Sequence, residues 1–319
     1  MIETFDYIAG GRLYAYDGTR STEVRSSVLG AYIAAVRESA RRTEWKRSGE
    51  GAKFLGSYDA HAGASEQVAE VHARFLAAAR DGGRLLYSLA IDRTSGIYAA
   101  RPDEPTDGII LANADTQYGE FDLRDGRMAL TCAFAGESHI GVMALDRPGC
   151  RVYTEGHTRD TSPAWSASRA DGIYFCCTGL PLDPEEASVS RAPTAICLLD
   201  IAAGPVEDVL CDEKYDYLAP QSLPDGSLWY LRRPYAPERM AHSFFQALAL
   251  RLAGRPKKLQ PPELRRLDAN GTDTLVRRDV SAFRADADSV IAAVGGKLLR
   301  IADGKETVLA EAEDVTMIR

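Results

Sequence analysis

The stretch Asp160-Thr-Ser-Pro-Ala-Trp-Ser166, followed by Asp171-Gly172 and Ile173-Tyr-Phe-Cys-Cys177, decides the fold of this 319-residue chain. It predicts a short strand, a tight turn and a stronger apolar strand, because Asp and Gly tolerate the positive φ that hairpin turns need. Two more strand-like runs follow, at Thr194 to Asp200 and at Val206 to Leu210. The stretch therefore predicts a four-stranded antiparallel meander.

The same pattern recurs along the chain. Four further copies have first strands at Val71 to Leu76, Tyr118 to Leu123, Asp216 to Ser222 and Val280 to Phe283. In the copy that begins at Asp216, the third strand is predicted at Phe245 to Leu250. A spacing of roughly 40 to 60 residues is the blade period of β-propellers rather than the period of helical solenoids.

The two ends of the chain look like parts of one blade. Gly11 to Gly18 is similar to Gly296 to Gly304, and both patterns indicate a third strand running into a fourth. The chain therefore begins partway through a blade, at Phe5 to Ala9. Asp314 to Ile318 would supply the missing first strand and close the ring, which removes open sheet edges.

These repeats predict an all-β fold: a seven-bladed β-propeller of four-stranded antiparallel blades, closed by the N- and C-terminal strands. Residues 1–319 are predicted to form a single domain. The count of seven includes a degenerate blade at Val28 to Tyr58, which has no Asp-Gly turn. A propeller of six blades is the alternative.

One repeat resembles a known family. Val152 to Ser166, followed by Asp171 to Phe175, resembles the WD-like repeat of the translocation protein TolB and its relatives. The match is partial at Asp216 to Tyr230, where Gln221 is predicted to replace the Trp. The resemblance implies a propeller fold. It does not specify an activity, because such propellers include binding proteins, gating domains of prolyl oligopeptidase-like enzymes and oligogalacturonate lyases.

Composition excludes several classes of function. The net charge of −8 argues against a basic surface for nucleic acid. No apolar run approaches the roughly 18 residues of a membrane helix. The first residues lack a secretory signal, and the six cysteines include no C-x-x-C pair. We therefore predict reduced thiols and a cytoplasmic protein, with a trimmed secreted form left open.

Catalytic motifs are missing from the sequence. It contains no G-x-S-x-G, no P-loop and no G-x-G-x-x-G. We predict no cofactor and no metal, and a non-enzymatic binding or scaffold role toward a protein, a peptide or a saccharide. A metal-dependent saccharide lyase or hydrolase, resembling oligogalacturonate lyase, is the alternative.

The binding surface follows from the direction of the strands. In a meander, loops between the second and third strands open at the same end as the connections between blades. We call this end the long-loop end, because it carries the two longest inserts, Thr178 to Pro193 and Arg232 to Phe244. The predicted binding residues at this end are His157, Arg159, Asp160, Tyr215, Tyr217, Arg233, Tyr235, His242 and Arg278.

Two clusters of polar residues at this end have competing interpretations. His72, His139, His157 and His242 could converge on a metal, but their spacing is not that of a ligand set. Asp160, Asp216 and Asp279 are predicted to recur at one blade position. They could ring the channel mouth or cap tight loops, and repetition favours capping.

Overall fold

Strands dominate the structure. The computed structural model describes residues 4–47, 71–147, 149–181, 191–237 and 260–319, which contain 24 strands and one helix. The all-β class predicted from the sequence is therefore confirmed. Within the described residues, no helix combines the length and the apolar character that crossing a membrane requires.

The described strands form six four-stranded antiparallel units. The first unit contains β1 (Phe5–Ala9), β2 (Arg12–Tyr16), β3 (Ser21–Glu23) and β24 (Val315–Ile318). The second contains β4 (Ala73–Asp81), β5 (Arg84–Ile91), β6 (Thr94–Ala100) and β7 (Gly108–Ala112). The third contains β8 (Gln117–Arg124), β9 (Arg127–Phe134), β10 (Glu137–Ala144) and β11 (Arg151–Val152).

The remaining three units follow in chain order. The fourth contains β12 (Thr158–Trp165), β13 (Gly172–Gly179), β14 (Thr194–Asp200) and β15 (Val206–Leu210). The fifth contains β16 (Tyr215–Ser222), β17 (Leu228–Pro234), β18 (Glu263–Leu267) and β19 (Asp273–Arg277). The sixth contains β20 (Val280–Ala285), β21 (Val290–Val294), β22 (Lys297–Ala302) and β23 (Lys305–Glu311).

The two ends of the chain share the first unit. Strand β24 pairs antiparallel with β1, so that Tyr7 lies opposite Ile318. The backbones of Asp6 and Arg319 exchange two hydrogen bonds, each 2.7 Å long. The innermost strand of the first unit therefore comes from the end of the chain, and its other three strands come from the beginning.

The apolar core lies between successive units. Leu86 and Ile97 of the second unit pack with Phe121 and Met128 of the third. Similar clusters lie between units three and four, four and five, five and six, six and one, and one and two. Units three and four are also joined through their backbones, by a single parallel bridge from Ser138 to Arg159.

The Asp-Gly turns form as the sequence predicts at most sites. Asp125 and Gly126 both have positive φ, +49° and +70°, as the tight hairpin between β8 and β9 requires. Gly172 differs, because its φ is not in the left-handed region. A Cβ at this position would lie 2.9 Å from the Cβ of Arg169, so close approach rather than backbone conformation favours glycine there.

A helix occupies the segment predicted as a degenerate blade. Helix α1 spans Ser27–Arg47, and residues 48–58 lie outside the described part of the chain. Ala, Arg and Glu, which are frequent here, favour helix over strand. The start of α1 is capped by Ser26, whose hydroxyl accepts the Leu29 N–H, and by Asp107, whose carboxylate accepts the Ser27 N–H.

The third strand of the fifth unit is also not where the sequence predicts it. It is β18, whereas Phe245 to Leu250 lies outside the described residues. The sequence of β18 looks like a solvated loop because it is rich in charge. Cross-strand ion pairs hold it in place: Arg265 lies 2.9 Å from Asp273, and Arg232 lies 3.0 Å from Glu263. In the described part of the chain, the second strand of this unit ends at Pro234 and the third begins at Glu263.

We expect Val315→Asp to lower the free energy of unfolding by at least about 3 kcal/mol, because it buries an unpaired charge where β24 joins the first and sixth units. Val308→Asp is the matched control, since Val308 is 55% exposed on an outer strand, and we expect a change within about 0.5 kcal/mol. Urea unfolding measures both. Equal, small effects would show that β24 contributes little to the fold.

Candidate functional site

A cavity of about 380 Å³ lies where the first strands of the six units meet. We call it the axial cavity. Each unit contributes wall residues through its innermost strand: Arg74, Glu120, Pro163, Gln221, Phe283 and Met317. This volume lies within the range of roughly 300 to 1,000 Å³ that is usual for ligand sites.

Bulges in the innermost strands shape the cavity wall. Strands β8, β12 and β16 each carry one extra residue, so that the pairs at 119–120, 162–163 and 219–220 each lie opposite a single residue of the neighbouring strand. Ser162 and Ala219 have φ values of +51° and +50°. Bulges re-aim side chains and release the backbone from the ladder, which explains why proline is accepted at 163 and 220. Glu120 occupies the position that proline holds in the next two units.

The axial cavity contains two opposite charges without an ion-pair partner. Glu120 accepts a hydrogen bond of 3.1 Å from the Ser162 N–H, and its exposed surface faces the cavity. Desolvation by the surrounding wall raises the pKa of Glu120, although the Ser162 N–H opposes this rise. Arg74 also lines the cavity and is exposed. Neither side chain forms an ion pair with any residue that the structure describes.

Other polar side chains of the wall are already engaged. The Gln221 amide nitrogen donates to the Phe283 carbonyl at 3.0 Å, and its oxygen accepts the Ala285 N–H at 2.9 Å. Arg319 lies 3.1 Å from Asp122. The Gln221 contacts connect units five and six, and the Arg319 contact connects units one and three. They leave Arg74 and Glu120 as the charged groups available to a ligand in the described wall.

A cluster of charges on the fifth unit lies at the long-loop end. The carboxylate of Asp216 is fully buried and accepts two hydrogen bonds from Arg191, at 2.8 and 2.9 Å. Arg233 lies 3.3 Å away, and the Thr194 N–H donates to the same carboxylate at 3.0 Å. Burial alone would raise the pKa of Asp216, but these donors outweigh it and hold the pKa below the ordinary value.

Aromatic residues of the same unit pack against its cations. The Tyr235 hydroxyl donates to the Arg191 carbonyl at 2.8 Å. The Arg232 guanidinium lies 4.4 Å from the Tyr215 ring centre. Tyr217 is buried, and its ring centre is 5.7 Å from that of Tyr230. Tyr217 is therefore a packing residue, whereas Tyr215 and Tyr235 keep partly exposed surfaces.

A second polar cluster lies at the long-loop end of units three and four. His157 is exposed, and its Nδ1 is 2.8 Å from a Glu137 oxygen. His139 is buried between Glu137 and Asp160, at 3.6 and 3.8 Å. Arg159 is exposed and lines a separate cleft of about 420 Å³ together with Glu137.

The predicted site residues thus fall into two groups. Arg233 and Tyr235 gather around Asp216 and Arg191. Glu263 lies 3.6 Å from Arg278 and 3.0 Å from Arg232, whose guanidinium packs on Tyr215. His157, Arg159 and Asp160 belong to the other cluster. His242 lies outside the described residues.

The three aspartates do not share one repeat position. Counted from the aligned prolines Pro163 and Pro220, Asp216 corresponds to Arg159, and Asp160 corresponds to Tyr217. The same alignment places Ser222, not Gln221, at the position of Trp165. Asp160 and Asp216 are both buried and accept hydrogen bonds, which fits capping rather than a ring of carboxylates.

The metal alternative finds no support in the described geometry. Across the described ranges, no three His, Cys, Asp or Glu side chains are arranged to hold a metal ion.

Sequence reasoning missed two charged residues of the axial cavity, Glu120 and Arg74. A signal for Glu120 was present, because it lies two residues after Tyr118, as Pro163 lies two residues after Thr161.

Comparisons with solved structures find propeller relatives at low sequence identity. TolB from Acinetobacter baumannii matches with a TM-score of 0.56 and 13% identity, over 99% of this chain and 65% of that chain. A chain of a nidogen/laminin complex matches with a TM-score of 0.56 and 9% identity, over 99% and 97%. A puromycin-hydrolysing peptidase from Mycobacterium tuberculosis matches with a TM-score of 0.52 and 13% identity, over 95% and 41%.

These likenesses concern the fold alone. No family model matches the sequence, and no curated protein matches it. The chain spans slightly less than two thirds of the Acinetobacter TolB chain and less than half of the peptidase. The activity named for the peptidase therefore stays a statement about that protein.

We expect Asp216→Asn to lower the free energy of unfolding by about 3 to 5 kcal/mol, because it removes the fully buried carboxylate that Arg191, Arg233 and the Thr194 N–H share. The folded-state pKa of Asp216 lies below the ordinary value, so its contribution is complete above about pH 4 and is lost as the pH falls through the folded pKa.

Urea unfolding at several pH values measures this difference, which should shrink on acidification. Asp146→Asn is the control, since Asp146 is 76% exposed beside Arg147 and should contribute no more than about 1 kcal/mol. A loss for Asp216→Asn that is no larger than the control's would contradict the structural role of the pair.

Proposed function

Because the chain folds as a TolB-like β-propeller, we propose that it is a non-enzymatic binding protein that captures a peptide segment of a protein partner. The segment enters from the long-loop end and reaches the axial cavity. The proposal rests on one observation: Arg74 and Glu120 bring opposite charges to this cavity and form no ion pair with a described residue.

The proposal includes a closed ring of six blades in a single domain, residues 1–319. Six four-stranded units, rather than seven, account for the described strands. Apolar clusters lie between each unit and the next, including between the sixth and the first. The pairing of β24 with β1 supports closure, since it places the two ends of the chain in one sheet.

The chemistry of the cavity favours a peptide over a neutral sugar. Phe283, Pro163 and Met317 supply apolar surface, and Arg74 and Glu120 supply a cation and an anion. A peptide segment that carries both a basic and an acidic group satisfies all of these features. The likeness to a chain of a nidogen/laminin complex gives further support, because its name describes a protein bound to a protein.

The long-loop end would contact the flanks of the bound segment. Tyr215, Tyr235 and Arg278 present partly or fully exposed surface there. Buried Asp216 fixes Arg191, against which Tyr235 packs, and Glu263 fixes Arg232, against which Tyr215 packs. His157 and Arg159 lie at the same end on the fourth unit. Rigid strands that present exposed aromatic and cationic side chains are typical of protein recognition.

The test selects peptides from a displayed library of random seven-residue sequences against the purified protein, and measures each selected peptide by calorimetry. We expect the selected peptides to contain both a basic and an acidic residue. We expect Glu120→Gln and Arg74→Met each to lower their affinity about tenfold or more. Glu104→Gln removes an exposed carboxylate between β6 and β7, at the end opposite the long loops, and should leave affinity unchanged. A parallel glycan array tests the saccharide alternative.

The pH dependence adds an independent readout. The pKa of Glu120 is raised, so acidification neutralises Glu120 at a higher pH than an ordinary glutamate, and affinity for a basic peptide should fall accordingly. Glu120→Gln should abolish this dependence. Peptides that bind with full affinity to both cavity variants, or binding to glycans alone, would overturn the proposal.

A further inference from the structure

Two cysteine sulfurs of the third unit are in contact across a strand. Cys132 lies on β9, and Cys150 lies directly before β11; their Sγ atoms are 3.8 Å apart. Strand β10 runs between them, with Gly141 at the point where the sulfurs meet. The two thiols therefore share one face of the sheet.

Gly141 provides the space that both sulfurs occupy. A Cβ at this position would lie 2.5 Å from the Cys150 sulfur and 2.9 Å from the Cys132 sulfur. Both distances are far below van der Waals contact. The missing side chain thus allows the sulfurs to approach each other over the strand, and their neighbours in the cluster, such as Met128 and Leu130, are apolar.

The two thiols differ in access and in acidity. Cys150 is half-buried and open to small molecules, whereas Cys132 is 2% exposed. The hydrogen bond between the two thiols lowers the pKa of Cys150 and, together with burial, raises the pKa of Cys132. Cys150 is therefore the thiol that reacts first, because the thiolate is the nucleophile and must be reached by its target.

We propose that Cys132 and Cys150 form a redox modification site, at which a low-molecular-weight disulfide reversibly oxidises the pair to an intramolecular disulfide. The Cys150 thiolate attacks one sulfur of the oxidant and displaces the first small thiolate. Cys132 then loses its proton and attacks the Cys150 sulfur of the mixed disulfide, which displaces the second thiolate. The pair loses two electrons and two protons, and the oxidant becomes two small thiols.

The disulfide would fasten a weakly held edge. Strand β11 has only two residues and pairs only with β10 among the described strands. A disulfide between Cys150 and Cys132 would link the edge strand β11 to β9, across β10. The chain continues to Thr154, whose hydroxyl donates to Asp160 and accepts the Ile140 N–H. Oxidation should therefore rigidify the approach to His157 and Arg159.

The test incubates the folded protein with oxidised glutathione and maps the products by mass spectrometry. Protease cleavage after Glu137 separates the two cysteines, so a disulfide appears as a linked pair of peptides that dithiothreitol resolves. We expect this link to form in preference to any other, and hydrogen exchange at residues 149–153 to slow when it forms.

Single variants separate the two roles. In Cys132→Ser, we expect Cys150 to remain as the mixed disulfide with glutathione, because no second thiol displaces it. In Cys150→Ser, Cys132 should stay a free thiol. Cys211→Ser removes an exposed thiol and should oxidise like the parent. A parent protein that keeps both thiols free, or that links them no faster than other pairs, would overturn the proposal whatever the peptide-binding result.

Discussion

The pairing of β24 with β1 is the contact on which the arrangement of units depends. Val315 and Ile318 pack with Phe5 of the first unit and with Ile291 of the sixth. Further along the same strand, the Met317 sulfur accepts a hydrogen bond of 3.3 Å from the Ala78 N–H of the second unit. Arg319 extends these contacts to Asp122 of the third unit. The last five residues therefore connect four of the six units.

This constraint explains why a cavity forms where the six innermost strands meet. Six innermost strands that pack around a common space cannot all keep regular pleating, because their inward side chains would collide. Bulges with positive φ at Ser162 and Ala219 relieve the crowding and turn short or rigid residues inward. Glu120 is the exception at the same position. Its carboxylate pairs with no cation among the described residues, which supports the proposed binding role.

The sequence predicted the repeat well and its irregular parts poorly. Paired Asp-Gly turns such as Asp125-Gly126 reveal hairpins, because few residues accept their backbone conformation. The prediction of a degenerate blade was wrong where α1 forms. The scattered Val and Ile residues in 28–36 fit the pattern of a strand as well as that of a helix when their packing is not known. Strand β18 escaped detection because arginines and acidic residues, rather than alternating apolar residues, hold it.

The candidate site was predictable only in outline. Strand direction places His157, Arg233 and Tyr235 at the long-loop end, but it cannot tell which side chains face each other. The partner Arg191 lies 25 residues before Asp216, and Glu263 lies 31 residues after Arg232, so neither contact leaves a local pattern. The prediction that Asp160 and Asp216 share a repeat position was wrong because it aligned the repeats on Asp. Alignment on the bulge prolines Pro163 and Pro220 shifts the fifth unit by one residue.

The backbone bridge from Ser138 to Arg159 makes the assembly mechanically uneven. Sheets that touch only through side chains can slide or separate slightly, whereas a bridged seam resists shear. Units three and four should therefore move as one rigid body, which keeps the Glu120 carboxylate at a constant distance from the Ser162 N–H. Backbone hydrogen bonds also join units one and two, from the Phe75 N–H to the Gly11 carbonyl at 2.9 Å, and units five and six, from the Val280 N–H to the Pro262 carbonyl at 3.0 Å. Widening of the central space is therefore expected at the remaining seams. One of these lies between units two and three, where it would change the distance from Arg74 to Glu120.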